Sequence, residues 1–167
     1  DAPVAQPFDA DLAAVEQADV ILLVGCNPRL EAPILGHRVR KAGKRGAKVL
    51  AINPLAFDFH FDLAHSIVAT PTAMLDAMLG LARAVGEGSA ETPPSGLAGA
   101  LGEASIGVEP RPMADLLRGA SRAVVILGET AQGHANASWL RALGRYVAAC
   151  IGGSLDVLPQ GANAVGL

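Results

Sequence analysis

The run Val20-Ile21-Leu22-Leu23-Val24, followed by Gly25-Cys26-Asn27-Pro28 and then Pro33, constrains this chain more than any other stretch. Five consecutive apolar residues with β-branched side chains at both ends describe a strand covered on both faces, because a half-exposed strand would alternate. Gly25 and Asn27-Pro28 break the run. Pro33 fits the first position of a helix, where its missing N–H costs nothing. A strand that hands the chain to a glycine turn and a helix start builds the ligand crevice of an open α/β sheet.

The same reading extends along the chain. Residues 9–18 describe a short helix with Asp9 as its N-cap and Leu12, Val15 and Ala18 at helical spacing. Strand one covers 19–24. Helix two covers 32–44, with Leu35, Val39 and Ala42 on one face; Lys41, Lys44 and Arg45 stand where the helix dipole is negative. Strand two, 48–52, stops at Asn53-Pro54. A weak third strand, 66–69, precedes Thr70-Pro71-Thr72 and a helix that buries Met74, Leu75, Met78, Leu79 and Ala82. Residues 86–112 are rich in Gly, Pro, Ser and Ala and read as a flexible surface excursion with one loose turn near 97–101. A short helix at 113–117, strand four at 123–127 closed by Gly128, a helix at 135–150 with Trp139, Leu140, Leu143 and Val147 inward, and strand five at 155–158 complete the series.

Strands alternating with helices predict a parallel sheet with right-handed crossovers. The expected fold is α/β and Rossmann-like: a doubly wound, mainly parallel five-stranded sheet of order 3-2-1-4-5 in three layers, forming one domain over residues 1–167. Its switch point falls between strands one and four, at residues 25–29 and 128–133.

With 51% apolar residues and only 4% aromatics in 167 residues, the core must be built from Ala, Val, Leu and Ile. A net charge of −3 gives no global attraction to nucleic acid or to an anionic membrane. No apolar run approaches the about 20 residues that span a bilayer, so no direct membrane insertion is expected. Cys26 and Cys150 lie on different elements and fall short of the about four ligands of a structural zinc or an iron–sulfur cluster. They read as reduced thiols. The chain opens on Asp1, shows no signal peptide, and closes on Val165-Gly166-Leu167, which reads as a piece of a longer polypeptide.

The motifs that could carry chemistry are few. A dinucleotide site places Gly-x-Gly-x-x-Gly after strand one, but this chain has one glycine there, and Pro28 removes a donor. Asn53 stands at the end of strand two where a ribose-binding acid is usual. The crevice candidates are therefore Gly25, Asn27, Arg29, Asn53 and Gly128, as a vestigial cofactor site. Gly128-Glu129-Thr130-Ala131-Gln132-Gly133-His134 either flanks a nucleotide or simply joins strand to helix. His60 and His65 are five apart, against the four of helical zinc sites. Phe57, Phe59 and Phe61 alternate, as packing residues against a neighbouring layer or subunit would. Arg38, Arg40, Lys41, Lys44, Arg45 and Lys48 place six of thirteen basic residues in one region, which fits a solvated helix end or an anionic partner. Asp58 and Asp62 would share a face if their segment were helical, but Ser66, Ser121 and Ser138 lack a nucleophile elbow and no catalytic grouping emerges.

The stretch from Ala18 to Leu35, with its Gly25-Cys26-Asn27-Pro28-Arg29-Leu30-Glu31-Ala32-Pro33 block, resembles the molybdopterin oxidoreductase superfamily. More closely, it is similar to the large iron–sulfur subunits of bacterial NADH:quinone oxidoreductase, respiratory complex I. Arg38-Val39-Arg40-Lys41-Ala42, Val49-Leu50-Ala51-Ile52-Asn53-Pro54, Ala69-Thr70-Pro71-Thr72-Ala73-Met74-Leu75, Ala123-Val124-Val125-Ile126-Leu127-Gly128 and Gly161-Ala162-Asn163-Ala164-Val165-Gly166 follow in the same order. The resemblance implies the C-terminal, molybdopterin-enzyme-like part of such a large subunit. In the molybdenum enzymes the loops matching residues 25–29 and 53–55 contact the guanosine dinucleotide of the cofactor, with Asp where this chain has Asn53. In complex I that part carries no molybdenum cofactor, and the iron–sulfur clusters lie in an N-terminal portion absent here. The implied role is a structural domain without its own redox centre in NADH-to-quinone electron transfer. Its implied partners are other peripheral-arm subunits, at the cytoplasmic face of the bacterial inner membrane. The alternative is the cofactor-binding domain of a molybdopterin guanine dinucleotide oxidoreductase.

Overall fold

The continuous apolar runs become the middle of the sheet, where both faces need cover. A computed structural model describes residues 11–159. Its elements run α1 (Leu12–Gln17), β1 (Val20–Val24), α2 (Pro28–Glu31), α3 (Pro33–Lys44), β2 (Lys48–Asn53), β3 (His65–Val68), α4 (Pro71–Gly86), α5 (Ser95–Glu103), α6 (Pro110–Arg118), β4 (Ala123–Leu127), α7 (Glu129–Gln132), α8 (Ala137–Cys150) and β5 (Ser154–Val157). The five strands form one sheet in the order β3-β2-β1-β4-β5, and every pairing is parallel. All five residues of β1 and all five of β4 are buried. This is the doubly wound α/β order expected from the sequence.

Side chains alternate across the sheet and divide the core in two. Val20, Leu22, Val24, Val125 and Leu127 face Met74, Met78, Leu81, Met113, Leu117, Leu143 and Val147 of α4, α6 and α8. Ile21, Leu23, Val49, Val124 and Ile126 face Val15 of α1, Leu35 and Val39 of α3, and Phe59. Three layers result.

Four local expectations change. The α1 cap is Asp11, whose carboxylate accepts the Ala14 N–H at 2.5 Å; Asp9, and the 161–166 segment, lie outside the described residues. Residues 86–112 hold a nine-residue helix, α5, rather than one loose turn, because Leu97 and Leu101 reach the core. Trp139 is 37% exposed, since α8 turns Leu140, Leu143 and Val147 inward and leaves Trp139 on the rim of that face. On α4 the buried face is Met74, Met78, Leu81 and Val85, with Leu75 and Leu79 half-buried.

The strict alternation of strand and helix also fails once. Residues 54–64 connect β2 to β3 without a helix. The three phenylalanines fill the place of one: Phe57 meets Phe59 edge-on with centroids 5.9 Å apart, and Phe59 stacks on Phe61 at 5.3 Å. Phe59 is buried against the α3 side of the sheet.

Candidate functional site

The switch point lies where β1 and β4 deliver their turns side by side. Gly25 adopts φ +52°, a conformation that favours glycine, and a Cβ there would lie 2.4 Å from the Ala131 nitrogen. A Cβ on Gly128 would lie 2.4 Å from Cys26 Cα. The two turns therefore touch backbone to backbone, and glycine is needed on both sides.

Asn53, buried at the end of β2, accepts the Cys26 N–H on Oδ1 at 2.8 Å and donates Nδ2 to the Cys26 carbonyl at 3.4 Å. Its amide thus pairs with the turn like one more rung of the sheet. Glu31, the last residue of α2, folds back across the crevice. Its Oε1 accepts the Asn27 N–H at 2.5 Å and its Oε2 accepts the Glu129 N–H, at the start of α7, at 2.7 Å.

Every backbone N–H of residues 25–27 and 128–132 consequently ends on an acceptor of this chain. Gly25 donates to Ile52, Gly128 to Val24, Thr130 and Ala131 to Gly25, and Gln132 to Gly128; Cys26, Asn27 and Glu129 donate to the Asn53 and Glu31 side chains. A nucleotide's pyrophosphate is held in such folds by these donors. Here a carboxylate already accepts two of them, and its charge opposes a second anion. The residues present do not fit the phosphates of a pterin dinucleotide.

Burial holds the Glu31 carboxyl above the usual range, against the two N–H bonds that lower it. Burial also pushes the Cys26 thiol well up, and the Glu31 and Glu129 carboxylates add to this. A thiol so placed stays protonated and is not a nucleophile. One polar atom in the crevice is orphaned: Asn27 Oδ1 is buried without a hydrogen-bond partner among the described residues. It is an acceptor and asks for a donor, not a phosphate.

The structure brings together Gly25, Asn27, Asn53 and Gly128 of the sequence-derived candidates. Arg29 points away, toward the Asp58 carboxylate at 3.4 Å on the exposed surface. Sequence reading missed Glu31 and Glu129. The available signal was the acid four residues after Asn27, in the first turn of a helix opened by Pro28, where a carboxylate meets free N–H groups. The loop at 129–132 is a short helix, and beyond it His134 Nε2 lies 2.6 Å from the Pro71 carbonyl, tying this loop to α4.

The remaining candidates lie elsewhere. Asp58 and Asp62 are not on a helix, and His60 sits 3.5 Å from Asp58 while His65 opens β3. Among the described residues no group of three or more His, Cys, Asp or Glu is placed to hold a metal ion. None of the described helices is long and apolar enough to cross a membrane. Half of the basic region is consumed internally: Arg38, Lys41 at 2.8 Å and Arg45 at 2.7 Å all pair with the buried Glu16 of α1. Hydrogen bonds from Lys41 and then Arg38 hold the Glu16 carboxyl down to about 2.

Comparison with known proteins agrees with this architecture. A family model described as molybdopterin oxidoreductase matches residues 3–166. The mitochondrial 78 kDa subunit of NADH-ubiquinone oxidoreductase from Neurospora crassa is 40% identical over 58 residues, which is 35% of this chain and 8% of that protein. Its counterpart from Candida albicans is 42% identical over 60 residues, with the same coverage of 35% and 8%. The matched stretch is thus under a tenth of either relative's length.

Proposed function

The chain belongs to the molybdopterin oxidoreductase family, and from that premise we propose that it is a structural domain of a large complex I subunit, without a redox centre of its own. The two relatives named above are subunits of NADH-ubiquinone oxidoreductase, which supports assignment to that complex rather than to a free-standing enzyme. The whole protein passes electrons from NADH toward quinone through iron–sulfur clusters outside this chain. This domain packs the peripheral arm against its neighbours, at the cytoplasmic face of the membrane.

The observation that carries the reading is the Glu31 carboxylate bonded to the Asn27 and Glu129 N–H groups. It occupies, with acceptors of this chain, N–H donors of the turn that the family uses for a cofactor's phosphates. The rim of the crevice supports a packing role. Leu30, Ile34 and Leu55 stand 75%, 67% and 63% exposed at the carboxyl end of the sheet, which suits burial against another part of an assembly.

Calorimetric titration of the chain with GDP tests the reading. The expected result is no saturable binding in the micromolar range. Saturable binding there, lost in Asn53→Ala, supports instead the cofactor-binding domain of a molybdopterin guanine dinucleotide enzyme. Membership of the complex is tested separately: a tagged copy of the chain's parent subunit should co-purify with NADH-oxidising activity.

A further inference from the structure

We infer that the groove between the second half of α3 and residues 58–64 docks an acidic segment of a neighbouring subunit; this rests on the assignment to a multi-subunit complex. The groove measures about 570 Å³. Arg40 and Lys44, one helical turn apart on α3, and Lys48, the first residue of β2, all line it. All three are exposed, and among the described residues none has a carboxylate within ion-pair distance.

Their neighbours on the same stretch behave differently. Arg38, Lys41 and Arg45 converge on Glu16 and are neutralised there. The six-cation region is therefore two groups of three, one satisfied inside the chain and one left facing a groove. The negative end of the α3 dipole accounts for Lys44, but not for Arg40 a turn earlier or Lys48 beyond the helix.

The opposite wall does not cancel this charge. Asp58 is held by Arg29 at 3.4 Å and lies 3.5 Å from His60, which leaves Asp62 as the one uncommitted acid against three cations. That wall also holds His60 at φ 54°, the one non-glycine residue with positive φ among those described. Strained backbone of this kind concentrates at binding surfaces. Three cations around a bounded groove match a few carboxylates on a short segment. A nucleic acid would require a longer basic track, and the chain's net charge of −3 repels it.

The test uses the complex as purified through the parent subunit. A carbodiimide joins lysine amines to carboxylates only where the two already touch, and the linked peptides are read by mass spectrometry. Lys44 and Lys48 should be joined to Asp or Glu side chains of one segment in another subunit. The triple variant Arg40→Glu, Lys44→Glu, Lys48→Glu should weaken retention of that subunit by roughly tenfold or more. Arg111→Glu with Arg122→Glu, charges outside the groove, should change it by less than about twofold. Links from Lys44 and Lys48 only to Asp58 or Asp62, or none in an intact complex, overturn the docking site and leave the functional assignment standing. Ultraviolet cross-linking of Phe61 to nucleotide reassigns the groove and overturns it too. Failure of the parent subunit to co-purify with NADH oxidation overturns both.

Discussion

Glu31 Oε2 accepts the backbone N–H of Glu129 at 2.7 Å, across 98 residues of sequence. With the Asn27 N–H on its other oxygen, this carboxylate staples the turn after β1 to the turn after β4. An anion at the switch point is the usual arrangement of this fold. The difference is that the anion here is a side chain of the chain itself.

Removing that side chain should destabilise the domain. Glu31→Ala strands the part-buried Asn27 N–H and leaves the exposed Glu129 N–H to water, and the expected loss is about 1–3 kcal/mol in urea unfolding. Glu31→Gln keeps one acceptor and turns an amide N–H₂ toward the other donor, for a loss of about 1 kcal/mol. Unchanged midpoints for both variants would mean that the staple contributes nothing.

The two perturbed carboxylates should bend the pH–stability curve in opposite directions. Glu16 lies at about 2 in the folded state, below the ordinary 4.5. Its contribution is present above 4.5 and is lost as pH falls toward 2. Glu31 is raised, chiefly by burial. The folded state holds that proton more tightly than the unfolded one, so stability declines as pH rises above the ordinary glutamate value. Urea midpoints from about pH 2 to pH 7 should lose the acid-side fall in Glu16→Gln and the decline on the other side in Glu31→Gln.

The sheet order was legible in the sequence because β1, β2 and β4 are nearly continuous apolar runs, and only central parallel strands are buried on both faces. Gly25, Asn53 and Gly128 were legible as crevice residues for the same reason: they end those runs. What was not legible depends on contacts distant in sequence. The bond from Glu31 to the Asn27 N–H is local and follows from its place in a first helical turn, but the bond to the Glu129 N–H appears only when β4 is placed beside β1. The two groups within the basic region separate only when α1 brings Glu16 against one side of α3. The segment at 54–64 has neither helical nor strand periodicity, and its aromatic packing follows from the width of the gap it must fill.

Gly25→Ala should be among the most damaging substitutions in the chain. The new Cβ would meet the Ala131 backbone at 2.4 Å, and φ +52° adds left-handed strain. A loss of about 3 kcal/mol or more is expected. Gly152→Ala shares the left-handed conformation, at φ +60°, but has nothing within 4 Å, so the difference between the two variants isolates the contact between the turns. Equal losses would refute the close approach.

The two thiols should react at very different rates. Cys26 is buried and its thiol pKa is pushed up by desolvation, then by Glu31 and Glu129. Cys150 is partly exposed at the end of α8. N-ethylmaleimide should label one site on the folded chain, at Cys150, and reach Cys26 only in denaturant. Prompt labelling of Cys26 would show that the crevice opens.

Within residues 86–112, α5 offers a direct check on whether helix forms in a glycine-rich stretch. Gly99 lies in its interior, is exposed, and a Cβ there meets nothing within 4 Å. Replacing it by Ala removes backbone freedom from the unfolded chain and adds no collision, so Gly99→Ala should stabilise the domain by about 0.5–1 kcal/mol. The gain depends on helical backbone at that position in the folded state. Leu97→Ala should act oppositely, because Leu97 is buried in the core beside α4, with a loss of about 2–5 kcal/mol. If Gly99→Ala is neutral and Leu97→Ala is tolerated, residues 95–103 are not held as a docked helix in solution.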